Sequence, residues 1–89
     1  MTVTVQAYIL FKVNSSMEKE VSKSLTELDE VQVAGITYGE YDVIARITIN
    51  DLHALEDFLS DKIRKVSSVI LTSTMIIAQE FKGKKRRVT

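Results

Sequence analysis

The chain of 89 residues carries 12 basic and 12 acidic residues, and 45% of its residues are hydrophobic. A chain of this length forms one domain, because it cannot fill two hydrophobic cores. Its lack of cysteine excludes disulfides, thiolate metal sites and cysteine nucleophiles. No apolar run approaches the ~20 residues that cross a bilayer, and the N-terminus lacks the features of a secretory signal. We therefore expect a cytoplasmic protein without membrane contact.

The basic residues are unevenly distributed along the chain. Five of the twelve lie in the last eight positions: Lys82, Lys84, Lys85, Arg86 and Arg87. The body before them is acidic, and because phosphate contacts require clustered Lys and Arg, we expect no direct binding of DNA. The sequence predicts a folded domain over residues 1–81 and a basic tail over residues 82–89. For the tail, a disordered, solubilising extension is favoured over a segment that binds nucleic acid or an acidic partner.

The first part of the chain predicts a strand followed by a helix. Residues 3–13 are rich in β-branched and aromatic types and have no helical period, which is typical of a strand. Ser15 and Glu18 form a capping-box pattern, so a helix is expected over residues 16–28. Its apolar positions recur at helical spacing: Met17, Val21, Leu25 and Leu28.

The next two apolar runs predict a hairpin. Residues 31–38 and 41–50 are strand-like, and Gly39 stands in the first central position of the turn between them. A glycine there suits a two-residue type II′ turn. We expect the two strands to pair antiparallel.

The last part of the chain predicts a helix and a final strand. Asn50 or Asp51 can cap a helix that ends near Val66, and residues 68–81 form the strand. The helix has an apolar stripe of Leu52, Leu55, Leu59 and Ile63 and an outer face of Glu56, Asp57, Asp61 and Lys62. The order β-α-β-β-α-β predicts a ferredoxin-like α+β fold, with a four-stranded antiparallel sheet and both helices on one face.

Both faces of the predicted strands carry large apolar side chains. On the first strand, one face has Val3, Val5, Ile9, Phe11 and Val13, and the other has Tyr8 and Leu10. On the last strand, Val69, Leu71, Met75 and Ile77 lie opposite Ile70 and Ile76. Because two helices cover only one face, the other presents roughly 440 Å² to water before side-chain relief is counted. That face predicts an assembly of at least two copies.

The sequence contains no nucleotide-binding or hydrolase motif and no pair of histidines at metal-binding spacing. Its one histidine, His53, shares a helical face with Asp57, Asp61 and Lys65. A cluster for metal or acid-base chemistry is one interpretation. We favour a solvated face with an ion pair between Asp61 and Lys65. We therefore predict no catalytic residue, no metal site and no cofactor.

The segment from Tyr38 to Asp42 concentrates two aromatic rings and two carboxylates around a glycine. Backbone N–H groups at a tight turn can bind a carboxylate, and Asp42 can accept hydrogen bonds from an ammonium group, which together suit a zwitterion. The alternative is an ordinary hairpin in which the tyrosines only pack.

Three stretches resemble the C-terminal effector-binding domain, also called the RAM domain, of Lrp/AsnC transcriptional regulators: residues 33–43, 55–58 and 69–74. The Gly-x-Tyr-Asp sequence at Gly39, Tyr41 and Asp42 is the most specific part. The resemblance covers residues 5–79. It does not include the helix-turn-helix with which full-length members hold DNA, so the chain looks like a stand-alone form.

The resemblance implies an amino-acid sensor without enzymatic activity. In the family, effectors lie between dimers near the hairpin and the final strand, which makes Gly39, Tyr41, Asp42, Thr72 and Thr74 the expected ligand contacts. Threonine is also common in strands for conformational reasons alone. The expected assembly is a homodimer, or an octamer or other ring of dimers, that modulates transcription through a DNA-binding relative.

Two alternatives come from other functional classes. Small ferredoxin-like dimers also include α/β-barrel enzymes, which need a deep pocket with a histidine or an acid. Here that interpretation requires His53 to turn inward. The other alternative is a purely structural role in hetero-oligomer assembly, with no ligand at the hairpin.

Overall fold

The computed structural model describes residues 4–84 and confirms the order β-α-β-β-α-β. The elements are β1 (Val5–Val13), α1 (Glu18–Thr26), β2 (Val31–Ile36), β3 (Val43–Ile49), α2 (Leu52–Asp61), a 3-10 turn (Ile63–Lys65) and β4 (Val69–Ile76). Residues 1–3 and 85–89 lie outside the described range, and with them Val3 and most of the predicted basic tail. Within residues 4–84, no helix is long and apolar enough to cross a membrane.

The four strands form one antiparallel sheet in the order β2-β3-β1-β4. β1 and β3 are therefore central, while β2 and β4 are the edges. Both helices bury side chains in the same core: Val21 and Leu25 from α1, and Leu55 and Phe58 from α2. The helices thus lie on one face of the sheet, and the predicted ferredoxin-like fold is confirmed.

Alternation along the central strands separates the core from the opposite side of the sheet. The buried positions of β1 and β3 are Ala7, Ile9, Phe11, Val13, Val43, Ala45, Ile47 and Ile49. Burying each of the large side chains among them stabilises the fold by about 1.5–3 kcal/mol. The alternate residues of β1 and β3 point away from the helices, as do the β4 residues that pair with them. We call this side of the sheet the open face, and it carries Gln6, Tyr8, Leu10, Lys12, Ile44, Arg46, Leu71, Ser73 and Met75.

The helix α1 begins later than predicted, and the capping box does not form. Met17 is the N-cap residue and makes no side-chain capping bond. Ser16 has a left-handed φ of 68°, and the Met17 N–H donates to the Asn14 carbonyl at 3.0 Å. A turn therefore separates Ser15 from the helix. The predicted apolar stripe is confirmed, because Val21 and Leu25 are buried while Met17 and Leu28 pack against them at the rim.

The hairpin between β2 and β3 is longer than the two-residue turn that Gly39 predicted. The Thr37 N–H donates to the Asp42 carbonyl at 2.9 Å, so residues 38–41 form a four-residue loop. The Thr37 hydroxyl donates to the Tyr41 carbonyl at 2.7 Å and fixes this wider turn. Gly39 has a φ of 142°, a conformation that L side chains rarely adopt.

The strand β4 contains an irregularity that the alternation pattern missed. Lys12 pairs with Leu71, whereas Val13 pairs with Val69, so Ile70 is an extra residue in β4. A bulge of this kind reverses the facing of the residues before it. Val69 consequently packs against the core rather than beside Leu71 and Met75. For Leu71, Met75 and Ile76 the predicted separation of faces is confirmed.

The helix α2 is capped as predicted. The Asp51 carboxylate accepts a hydrogen bond from the Ala54 N–H at 2.7 Å, which satisfies one of the free donors of the first turn. The α-helical part ends at Asp61 and a 3-10 turn carries the chain to Lys65. Leu55 and Ile63 of the predicted stripe are buried.

Candidate ligand-binding site

The Asp42 carboxylate joins the hairpin to β1. Its Oδ2 accepts a hydrogen bond from the Val13 N–H at 3.0 Å, and its own N–H donates to the Phe11 carbonyl at 2.8 Å. Asp42 therefore extends the pairing of β1 and β3 by one residue before the start of β3. This contact uses one carboxylate oxygen, so Asp42 already has a structural role.

The rest of the hairpin loop is open to solvent. Tyr38 is fully exposed, and space within 4 Å of Gly39 is empty where a side chain would begin. Tyr41 is half-buried, and the Lys12 ammonium lies 5.9 Å from the centre of its ring. The backbone around Gly39 is thus accessible to a second molecule.

The two threonines of β4 lie on the helix side of the sheet. Thr72 pairs with Phe11 and Thr74 pairs with Ile9, and both of these β1 residues are buried under the helices. The threonines themselves remain accessible, since Thr72 is exposed and Thr74 is half-buried. They line a groove of about 560 Å³ between α2 and β4, which falls within the ~300–1,000 Å³ typical of small-ligand sites.

The groove combines charged, hydroxyl and apolar groups. Its polar lining consists of Glu56, Ser60, Arg64, Thr72 and Thr74, and its apolar lining includes Leu59, Ile63, Val69 and Ile70. Ser60 and Arg64 were not among the predicted site residues, and Glu56 was predicted to face solvent. The sequence feature that could have identified them is the four-residue spacing of Glu56, Ser60 and Arg64, which places these residues on one side of a helical segment.

The five predicted contact residues fall into two groups within one chain. Phe11 pairs with Val43 on one side and with Thr72 on the other. With strands ~4.8 Å apart, β1 separates the hairpin end of β3 from Thr72 by about 10 Å. Gly39, Tyr41 and Asp42 therefore do not line the groove that contains Thr72 and Thr74.

The polar face of α2 differs in detail from the expectation. His53 Nε2 lies 3.8 Å from Asp57 Oδ2, and these side chains are 86% and 62% exposed. His53 therefore points to solvent, whereas the enzyme alternative required it to turn inward. Within residues 4–84, Asp61 and Lys65 form no ion pair within 4.0 Å, because α2 ends at Asp61 and Lys65 lies in the 3-10 turn.

A different ion pair holds the end of α2. The Lys62 ammonium donates to Glu30 Oε2 at 2.7 Å. Burial alone raises the pKa of Glu30, but the hydrogen bond and the charge of Lys62 outweigh it, so the pKa of this carboxyl is lowered. The same hydrogen bond raises the pKa of Lys62. The pair ties α2 to the residue that precedes β2.

The fold and the groove define a class of protein: a ferredoxin-like α+β domain with a groove of ligand size beside one edge strand. The sequence model described as the Lrp/AsnC ligand binding domain matches residues 6–86. The chain belongs to this family.

Similar proteins agree with this assignment. An uncharacterised HTH-type transcriptional regulator of Pyrococcus furiosus is 37% identical over 82 residues, which cover 92% of this chain and 55% of that protein. The crystal structure of a hypothetical protein from Pyrococcus horikoshii is 39% identical, with a TM-score of 0.79 over 85% of this chain and 92% of that one. The chain spans about half the length of the curated relatives that it matches.

A more distant structure shares the fold. It is a transcriptional regulator from Neisseria meningitidis solved as a complex with L-Met, 21% identical, with a TM-score of 0.79. The alignment covers 89% of this chain and 53% of that one. At this level of identity the likeness concerns the fold alone.

Proposed function

We propose that this domain is a non-enzymatic, cytoplasmic amino-acid sensor that assembles with further copies and modulates transcription through a DNA-binding relative. The observation that carries the proposal is the groove between α2 and β4. It offers opposite charges, three hydroxyl groups and an apolar wall in one ligand-sized space.

The composition of the groove suits a zwitterion. The Arg64 guanidinium can bind a carboxylate through two parallel hydrogen bonds, and the Glu56 carboxylate can accept from an ammonium group. Thr72 and Thr74 add hydroxyls that both donate and accept. The apolar lining then contacts the side chain of the amino acid. The Neisseria regulator, which shares the fold, was solved as a complex with L-Met.

The hairpin completes the site from another subunit in this proposal. Gly39, Tyr41 and Asp42 lie too far from Thr72 to meet one small ligand within a single chain. The loop is nevertheless exposed, with accessible backbone at Gly39. When a neighbouring copy brings this loop to the groove, backbone N–H groups and the second oxygen of Asp42 become available to the ligand.

The open face supports assembly. Leu71 and Met75 of β4 are 51% and 50% exposed there, and Val33, on the opposite edge strand of the same face, is 57% exposed. An apolar surface of this size is unfavourable in water and is removed by packing against a second copy. A ligand bound between subunits shifts the assembly equilibrium only by its differential affinity for the states. Homodimers, and octamers or other rings built from them, are the assemblies that we propose.

The names of similar proteins support the proposed effect on transcription. Curated relatives are named HTH-type transcriptional regulators, and this chain matches about half of their length. A shared ligand-binding domain gives a natural surface for mixed assembly with such a regulator. In this proposal the amino acid changes transcription by changing which assemblies form.

Calorimetric titration of the chain with each of the twenty amino acids tests the sensor proposal. We expect heat from a small set of them, and weaker binding by about three- to tenfold in Thr72→Val and Thr74→Val, since each loses one hydrogen bond. Thr26→Val, on the exposed end of α1, is the matched control and should bind as the original chain does.

The possible outcomes distinguish whether the domain binds an amino acid from whether it binds it in the groove. If no amino acid gives heat, the domain is not an amino-acid sensor and the purely structural role gains support. If an amino acid binds but both β4 variants match the Thr26 control, the ligand lies outside the groove.

A further inference from the structure

One positive charge stands in the middle of the open face. Arg46 pairs with Tyr8 across the strands, and Tyr8 in turn pairs with Met75. Val33 of β2 pairs with Arg46 on its other side. The Arg46 side chain is only 27% exposed, so most of it is already withdrawn from water.

The Arg46 guanidinium has three partners. Its Nη1 donates to the Tyr8 hydroxyl at 3.4 Å, and the group lies 5.6 Å from the centre of the Tyr8 ring. Its Nη2 donates to Gln6 Oε1 and to both oxygens of Glu80, at 3.0 Å to Oε2 and 3.4 Å to Oε1. Glu80 is the one carboxylate among them, so it alone neutralises the charge.

Glu80 reaches the open face from the stretch that follows β4. The Ile77 N–H donates to the Gln6 carbonyl at 2.9 Å, so the chain continues along β1 before Glu80 turns back to Arg46. We call residues 77–84 the C-terminal segment. It also carries Phe81, which is 81% exposed.

The charge matters because the proposed assembly buries this face. A buried guanidinium without a counter-charge is costly, whereas a neutralised one is tolerated. Arg46 Nε is already withdrawn from water and has no hydrogen-bond partner within residues 4–84. Loss of the Glu80 carboxylate would therefore leave an almost uncompensated charge at the centre of the interface.

We infer that Glu80 of the C-terminal segment neutralises Arg46 and so makes the open face compatible with burial when that face packs against a second copy of this chain. This inference rests on the assembly proposed above and adds the element that enables it. A stable interface buries about 800 Å² per partner, whereas the sheet face has a flat area of roughly 440 Å².

A double-mutant cycle on the full chain tests the role of Glu80. Sedimentation over a range of concentrations gives the dimer Kd for the original chain, Glu80→Gln, Arg46→Met and the double variant. We expect Glu80→Gln to weaken the dimer by on the order of tenfold, because the pair is partly exposed. Arg46→Met keeps the apolar stem and should bind within about threefold of the original or more tightly.

The double variant decides between specific and general effects. We expect its Kd to match that of Arg46→Met, since Glu80 acts through the charge of Arg46. Glu20→Gln, an exposed change on α1, is the charge-matched control and should leave the Kd unchanged. Circular dichroism and the midpoint of thermal unfolding confirm that each variant is folded.

Two results would overturn the inference while leaving the assembly in place: an unchanged Kd for Glu80→Gln, or equal weakening by Glu80→Gln with and without Arg46. A different result reaches the proposed function itself. If the original chain sediments as a monomer at every concentration, the assembly fails and the role of Glu80 in it fails too.

Discussion

The strands β3 and β4 flank the same central strand, yet their helix-side residues have different surroundings. Across Ala7, Ile47 of β3 stands opposite Ile76 of β4. Ile47 is 0% exposed and Ile76 is 50% exposed. The next rows repeat the contrast, with Ala45 and Val43 buried on one side and Thr74 and Thr72 lining an open groove on the other.

The difference shows how a helix layer that covers only part of a sheet creates a site. α1 and α2 bury their apolar residues over β1 and β3, and the Glu30–Lys62 pair ties α2 toward β2. Within residues 4–84, no ion pair ties α2 to β4. The edge strand is left with hydroxyl and apolar side chains in a space that water, a ligand or another subunit can enter.

The largest expected effect comes from truncating the two isoleucines of one row. Ile47→Ala should lower the free energy of unfolding by about 2–5 kcal/mol, because it leaves a cavity in the core. Ile76→Ala should lower it by about 1 kcal/mol or less, since half of the side chain already contacts water. Urea unfolding measures both variants. An equal loss for the two would show that β4 is covered, and the contrast between the strands would then be wrong.

The next effect concerns Asp42, at the loop end of β3. Asp42→Ala leaves the half-buried Val13 N–H without its acceptor, which should cost about 1–2 kcal/mol of unfolding free energy. Asp42→Asn keeps an acceptor oxygen and should cost less. Glu40→Ala, exposed in the same loop, is the control and should stay within about 0.5 kcal/mol.

The Asp42 variants also sharpen the proposed ligand role. If the carboxylate holds an ammonium group, Asp42→Asn should remain folded and yet bind the amino acid more weakly in calorimetry. Unchanged binding by this variant would restrict Asp42 to its structural contact with β1.

Much of the fold could be predicted because it follows from local patterns. Alternation predicts the core of β1, and the helical spacing of Val21 and Leu25 predicts the inner face of α1. The bulge at Ile70 could not be found in this way, since it depends on which residues of β1 pair with β4. The left-handed backbone of Ser16 could not be predicted either, and the turn that it forms part of separates Ser15 from the helix, so the predicted capping box with Glu18 does not form.

The candidate site was predictable only in part, for a related reason. Thr72 and Thr74 were identified by their shared strand face and by resemblance to the family. Arg64 and Glu56 were not, because a polar helix flank has the same pattern whether it faces bulk water or a groove. Only the position of α2 beside an uncovered edge strand distinguishes the two.

The smallest expected effect concerns the ion pair between Glu30 and Lys62, which is tested by the pH dependence of stability. The pKa of Glu30 is lowered in the folded state, so its contribution to stability is fully present above its usual value of 4.5 and is lost as the pH falls through the lowered value. Urea midpoints should therefore fall in acid more steeply for the original chain than for Glu30→Gln. Glu27→Gln, exposed at the end of α1, should follow the original chain. Parallel curves for all three proteins would show that Glu30 and Lys62 do not help to hold α2 on the covered side of the sheet.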